Sequence, residues 1–315
     1  KDNVRDEKDC PPIVSEFIYS GGKRDRRERD FYGFAEVRTL RINGENKIES
    51  QIVQNYDTTN YYTSGTAIGS YVCDADHQLF SKDTSEIKMF DVSGQGHLDL
   101  ATLIKESSRI FVAPTKTTSK RFEKNVEKGV VANIVENEYG DYGNVEKYTY
   151  TDGIAQTGYT TNIKYKPIDK YGVFGLPTDV TVVSDGKTMR HVSAEYDNTG
   201  YNPGSMISIT QDLGEESATT ELKYDTLGNI VEKIMPQATG DNLMKERMTY
   251  TYEYDKKYGM YPIRVTDGFG YRSDMFNYDY RYGIPLSVKD MNGFITEYEL
   301  DDLGRTTKVL APNDL

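Results

Sequence analysis

Six times along the chain a bulky residue, an acid and a glycine return at near-fixed offsets. This repetition constrains the fold more than any other feature. The copies are Tyr139-Gly-Asp-Tyr-Gly143, Tyr196-Asp197-Asn-Thr-Gly200, Tyr224-Asp225-Thr-Leu-Gly228, Tyr254-Asp255-Lys-Lys-Tyr-Gly259, Tyr278-Asp279-Tyr-Arg-Tyr-Gly283 and Leu300-Asp301-Asp-Leu-Gly304-Arg305. The starts at 254, 278 and 300 lie 24 and 22 residues apart, so the spacing tightens toward the C-terminus. Between the turns run alternating stretches such as Ile263-Arg-Val-Thr266 and Leu286-Ser-Val-Lys289. Period-two alternation bounded by Asp, Asn and Gly is the pattern of half-buried strands joined in hairpins. Tyr ends one strand, Asp bonds the backbone of the turn, and Gly accepts the positive φ that reverses the chain. One such hairpin is too small to hold itself up. Stacking neighbours into a continuous sheet pairs the backbone and buries one face.

The predicted class is therefore all-β, with repeated β-hairpins in one long, twisted, curved sheet. Composition agrees: 26 Tyr, 11 Phe and no Trp suit a pleated sheet with a half-wet face. Residues 1–50 are expected to form a leading segment with strands around 17–19 and 34–42. Residues 51–135 are expected to be an irregular β region with insertions, and 136–315 the regular repeats. An exposed sheet edge would favour self-association. The net charge of −12 opposes broad phosphate neutralisation, so nucleic acid is not an expected partner. The longest apolar runs are short, as at Val180-Thr-Val-Val183, and no segment reads as a membrane span. Both ends read as cut, which makes the sequence a piece of something longer. Cys10 and Cys73 are either two thiols or, in an oxidising compartment, a disulfide.

These repeats resemble the Rhs/YD-repeat family, which includes the polymorphic Rhs toxins, the B and C components of insecticidal toxin complexes, and the teneurins. The family consensus is close to YDxxGRLxxxxxP. Leu300-Asp-Asp-Leu-Gly-Arg-Thr-Thr-Lys-Val-Leu-Ala-Pro312 follows it apart from the leading Leu, and Tyr224 through Pro236 follows it too. Arg27-Glu-Arg-Asp-Phe-Tyr-Gly-Phe-Ala-Glu-Val37 resembles the REFRGFGRV-type segment of the toxin-complex B component, with Arg29, Asp30, Phe31, Gly33 and Phe34 carrying the likeness. The resemblance covers roughly residues 13–312, and is strongest around 27–37 and after 136. It implies a β-sheet that spirals into a hollow Rhs-type shell around a C-terminal effector, in a secreted or surface-delivered bacterial protein. The partners implied are the remaining shell and the effector. The family's terminal core segment is missing, so the piece is expected to be part of a wall.

Asp91-Val-Ser-Gly-Gln-Gly-His-Leu-Asp-Leu100 resembles the calcium loops of FG-GAP-type repeats, with Asp91, Ser93, Gln95, the His97 carbonyl and Asp99 as candidate ligands. Only two of these are carboxylates, so a Gly-rich connection is the competing reading, and no other cofactor is expected. His77 falls in a hairpin turn, His97 and His191 are isolated, and nothing supplies convergent zinc ligands. The basic run Lys23-Arg-Asp-Arg-Arg-Glu-Arg29 is interleaved with acids, as a solvated hairpin or a docking patch would be. Acid pairs such as Asp267 with Asp290, or Asp301 with Asp302, coincide with repeat turns. With no nucleophile, metal or phosphate-loop motif beside them, the chain is not expected to be an enzyme. The tyrosines read as inter-strand packing. The alternative is a surface binding module whose rings stack on carbohydrate.

Overall fold

In a computed structural model of the 315-residue chain, residues 14–91, 109–123, 129–198, 200–237 and 247–312 are described. They form twenty β-strands paired into antiparallel sheet, with no α-helix among the described residues. The chain divides into two compact units.

The first unit comprises Lys1–Ile163 and Val182–Met189. Its strands are β1 (Val14–Arg24), β2 (Phe31–Ile42), β3 (Ile48–Asp57), β4 (Thr66–Asp74), β5 (Leu79–Asp91), β6 (Ile110–Arg121), β7 (Val130–Tyr139), β8 (Val145–Asp152) and most of β9 (Gly158–Tyr165). Each pairs antiparallel with the next. Strand β5 shows the expected alternation, its side chains switching between exposed and half-buried from Phe80 to Lys88. The best-buried strip crosses β2–β4, where register sets Leu40 beside Gln51 and Gln51 beside Cys73. One pair further along the same face lies Val53, which is fully buried. The amide of Gln51 donates to the Asp74 carbonyl at 3.3 Å, so this buried polar group is satisfied.

The second unit comprises Lys164–Thr181 and Arg190–Leu315. Its strands are β10 (Pro177–Ser184), β11 (Lys187–Tyr196), β12 (Met206–Asp212), β13 (Ser217–Tyr224), β14 (Ile230–Ile234), β15 (Thr249–Tyr254), β16 (Pro262–Thr266), β17 (Arg272–Asp279), β18 (Ile284–Lys289), β19 (Ile295–Leu300) and β20 (Thr306–Leu310), with the tips of β10 and β11 counted in the first unit. From β11 to β20 every strand again pairs antiparallel with its chain neighbour. Most of these side chains are half-buried, because a single sheet layer has little interior. The buried exceptions include two polar groups, Asp255 and Ser287.

Candidate functional site

The repeated residues meet in a row of turns. Asp225 Oδ1 accepts the backbone N–H of Leu227 at 2.8 Å and of Asn229 at 3.0 Å. Asp301 Oδ1 does the same for Leu303 and Arg305, both at 2.9 Å, while the Arg305 guanidinium bonds Oδ2 at 2.6 Å. Asp279 accepts the Arg281 N–H at 3.0 Å and its guanidinium at 2.7 Å. Asp255 holds four donors, the N–H groups of Lys257, Tyr258, Met260 and Tyr261, at 2.7–3.1 Å. Asp197 Oδ1 accepts the Gly200 N–H at 2.8 Å, and in that turn the positive φ belongs to Gly204. In the other copies Gly143, Gly228, Gly259, Gly283 and Gly304 carry it.

These bonds hold the carboxyls below the usual carboxylate range. The Asn229 side chain is the main cause at Asp225, the Arg281 side chain at Asp279, and the Arg305 N–H at Asp301. At Asp255 burial pushes the carboxyl upward, and the four backbone donors together outweigh it.

Tyrosine hydroxyls tie successive repeats together. Tyr196 faces Met206 across β11–β12, and the Met206 carbonyl accepts the next hydroxyl, that of Tyr224, at 2.7 Å. Tyr224 faces Ile230, whose carbonyl accepts the Tyr254 hydroxyl at 2.8 Å. Tyr254 faces Pro262, whose carbonyl accepts the Tyr278 hydroxyl. Tyr196 and Tyr139 donate likewise to the carbonyls of Pro177 and Pro114, both at 2.9 Å. The local cause is visible in the register. It shifts by one residue at Tyr139, Tyr196, Tyr224, Tyr254 and Leu300, and such a bulge takes a backbone group out of the ladder for a side chain to claim. Burial pushes all five phenols upward, so they stay protonated donors. Turns also bond to turns: Asn202 donates to the Asp225 carbonyl and Asn229 to the Gly259 carbonyl, each at 2.6 Å.

The relay ends where Leu300 replaces tyrosine opposite the repeat whose Tyr278 faces Pro285. Tyr254→Phe is expected to lose about 1 kcal/mol. Leu300→Tyr is expected to recover ~0.5–1 kcal/mol by reaching the Pro285 carbonyl. Urea titration of the two single variants and the double variant checks both; unchanged midpoints would show that the hydroxyls do not couple the repeats.

The other candidate residues are dispersed. Asp91 is buried at the end of β5, while Ser93, Gln95, His97 and Asp99 lie outside the described residues. Cys10 also lies outside them, and Cys73 is a buried thiol pushed upward by desolvation. No group of three His, Cys, Asp or Glu side chains among the described residues is placed to hold a metal. Asp267 and Asp290 each accept two backbone N–H groups of their own turn. His77 sits with φ 65° in the turn that Asp74 closes.

In the leading hairpin Arg29 takes a left-handed φ of 57° and Asp30 accepts the Phe31 N–H at 2.8 Å. Gly33 follows with φ 92°, and Phe34 packs between Phe31 and Tyr19 at 5.3 and 5.0 Å. The arginines of the basic run lie on this exposed tip. His191 departs from its reading as an isolated surface group. It is bonded on both ring nitrogens by carboxylates that lie 12 residues before it and 21 after it, a distance no local motif spans.

No protein-family profile matches the sequence, and no curated protein is similar to it. Among the described residues no helix is long and apolar enough to cross a membrane. Solved structures do share its fold. The crystal structure of TcdB2-TccC3 superposes with a TM-score of 0.68 at 12% identity, over 94% of this chain and 22% of that one. The crystal structure of TcdB2-TccC3 without its hypervariable C-terminal region, and a Photorhabdus luminescens Tc holotoxin pore, each give 0.68 and 12% over 94% of this chain and 21% of theirs. The chain thus spans about a fifth of the structures it matches. At this identity the likeness is one of architecture: the chain has the all-β fold found in a stretch of a Tc toxin complex.

Proposed function

We propose that the chain is a non-catalytic wall segment of a toxin-related Rhs/YD-repeat shell, belonging to a secreted system and helping to enclose a C-terminal effector. The observation that carries this reading is the engagement of the repeated residues with the chain's own backbone. The aspartates accept N–H groups of their own turns, four of them at Asp255, and the relay tyrosine hydroxyls donate to carbonyls of the preceding repeat. Residues held this way brace strands against one another, and a continuous braced sheet is what a wall requires. The fold shared with a Tc toxin complex points the same way. The relay tyrosines are half-buried in the sheet, which leaves their ring faces only partly open to a sugar and favours scaffolding over the carbohydrate-stacking alternative.

Limited proteolysis of the longest natural polypeptide containing this chain tests the proposal. Sequence C-terminal to the repeats is expected to survive protease while the β-structure is intact, and to be cut once denaturant opens it. Cleavage at equal rates in both conditions would contradict enclosure.

A further inference from the structure

Within the second unit, His191 on β11 lies between carboxylates of the two flanking strands. Its Nε2 is 2.8 Å from Asp179 Oδ2 on β10, and its Nδ1 is 2.6 Å from Asp212 Oδ2 on β12. An ionised carboxylate only accepts hydrogen bonds, and a neutral imidazole carries one N–H while the imidazolium carries two. Both bonds can exist together only on the cation. We propose that Asp179, His191 and Asp212 form a proton-operated latch, which ties β10, β11 and β12 together while the ring is protonated and releases one flanking strand when the proton leaves.

The surroundings decide which strand is released. Asp179 Oδ1 also accepts the Thr181 hydroxyl at 3.3 Å and lies 3.8 Å from the Lys164 ammonium of β9. From β13, the uncharged Ser217 pairs with Asp212, and the intervening turn carries the exposed acids Glu215 and Glu216. On β11 itself the neighbouring Arg190 is exposed. With the ring charged, two carboxylates face one imidazolium and one ammonium, and the cluster is neutral. With the ring neutral, one carboxylate meets a nitrogen lone pair at hydrogen-bonding distance, and that contact must open. Asp179 keeps Lys164 and Thr181, whereas among the described residues Asp212 has His191 as its one ion-pair partner. Proton loss therefore falls on Nδ1, and the β11–β12 side opens. The His191 side chain is 29% exposed, enough for solvent protons to reach the ring.

The electrostatics agree with the geometry. The Asp179 carboxylate first, then that of Asp212, holds the imidazole above its ordinary 6.5. A raised folded value means the stabilisation is complete below about 6.5 and lost as pH rises through the folded value. Asp179 is held below 3.8, chiefly by the His191 bond, so its share is lost only as pH falls through that lower value. The latch is closed between these limits.

Imidazole 15N and 1H NMR on the chain, titrated from pH 5 to 9, tests this. The chain has three histidines, and the signal that disappears in His191→Gln identifies the ring. That signal is expected to titrate above 6.5 and to leave the neutral ring protonated on Nε2. Asp212→Asn, which keeps the shape and removes one charge, is expected to bring the midpoint down. Amide protection at Thr210 and Gln211, relative to Asp212→Asn at the same pH, is expected to fall roughly two- to fivefold across the titration, the scale of a partly exposed ion pair. A midpoint at or below 6.5, a midpoint unmoved by Asp212→Asn, or strand protection indifferent to the titration would each overturn the latch.

Discussion

Asp255→Ala is expected to lower the melting temperature further than alanine at any other turn aspartate, by on the order of 5 °C. Four backbone N–H groups point at this one buried carboxylate, whereas Asp225, Asp279 and Asp301 each cap fewer and are more exposed. Water cannot replace the acceptor fully at a site only 5% exposed, so the substitution leaves donors unpaired as well as bonds unmade. Its pH dependence has a definite sign. A carboxyl held below its ordinary value stabilises the fold above that value, and the contribution disappears as pH falls through the folded one. The wild-type melting temperature is therefore expected to drop as the pH is lowered below about 4. The Asp255→Ala variant starts lower and drops less. Thermal melts from pH 7 to 2 separate the outcomes, and parallel curves for the two proteins would show that Asp255 does not carry this turn.

Gly283→Ala is expected to destabilise the chain by ~2–3 kcal/mol, from the left-handed penalty together with a steric one. Gly283 has φ 67°, and a Cβ built there would lie 2.7 Å from Cε1 of Tyr261 in the preceding repeat. Gly304 repeats the arrangement under Tyr282, with the Tyr282 hydroxyl bonded onward to the Asp302 carbonyl. Gly270 is the internal control, since it also has positive φ but an open site beside it. Gly270→Ala should show the conformational part alone, about 1–2 kcal/mol. Equal losses at 270 and 283 in a urea titration would mean that the contact between repeats adds nothing.

Turn chemistry was legible in the sequence because it is local. An aspartate with a glycine three to five residues later announces its own hydrogen bonds, and Asp225, Asp255 and Asp301 make them within six residues. The all-β class followed from the same turns and from strand alternation of the kind β5 shows. The tyrosine relay was legible only in part. Tyr224 and Tyr254 could be placed at strand ends, but their acceptors are carbonyls 18 and 24 residues earlier, exposed by bulges that only the register defines. His191 was less legible still, because Asp179 and Asp212 meet it through pairing of three strands. No period-two alternation marks β10 or β11, so which residues face one another across the Asp185-Gly186 turn could not be read from the chain. For the calcium reading, only Asp91 among its candidate side-chain ligands lies in the described residues, on a paired strand.

The central claim is that this braced sheet is wall. Cryo-electron microscopy of the longest natural polypeptide that contains the chain tests it most directly. The account predicts that the described strands form part of the wall of a closed hollow shell, with tyrosine and aspartate turns along it and additional polypeptide density inside. A structure in which these strands pack face to face around a filled core, with no enclosed space, would contradict it.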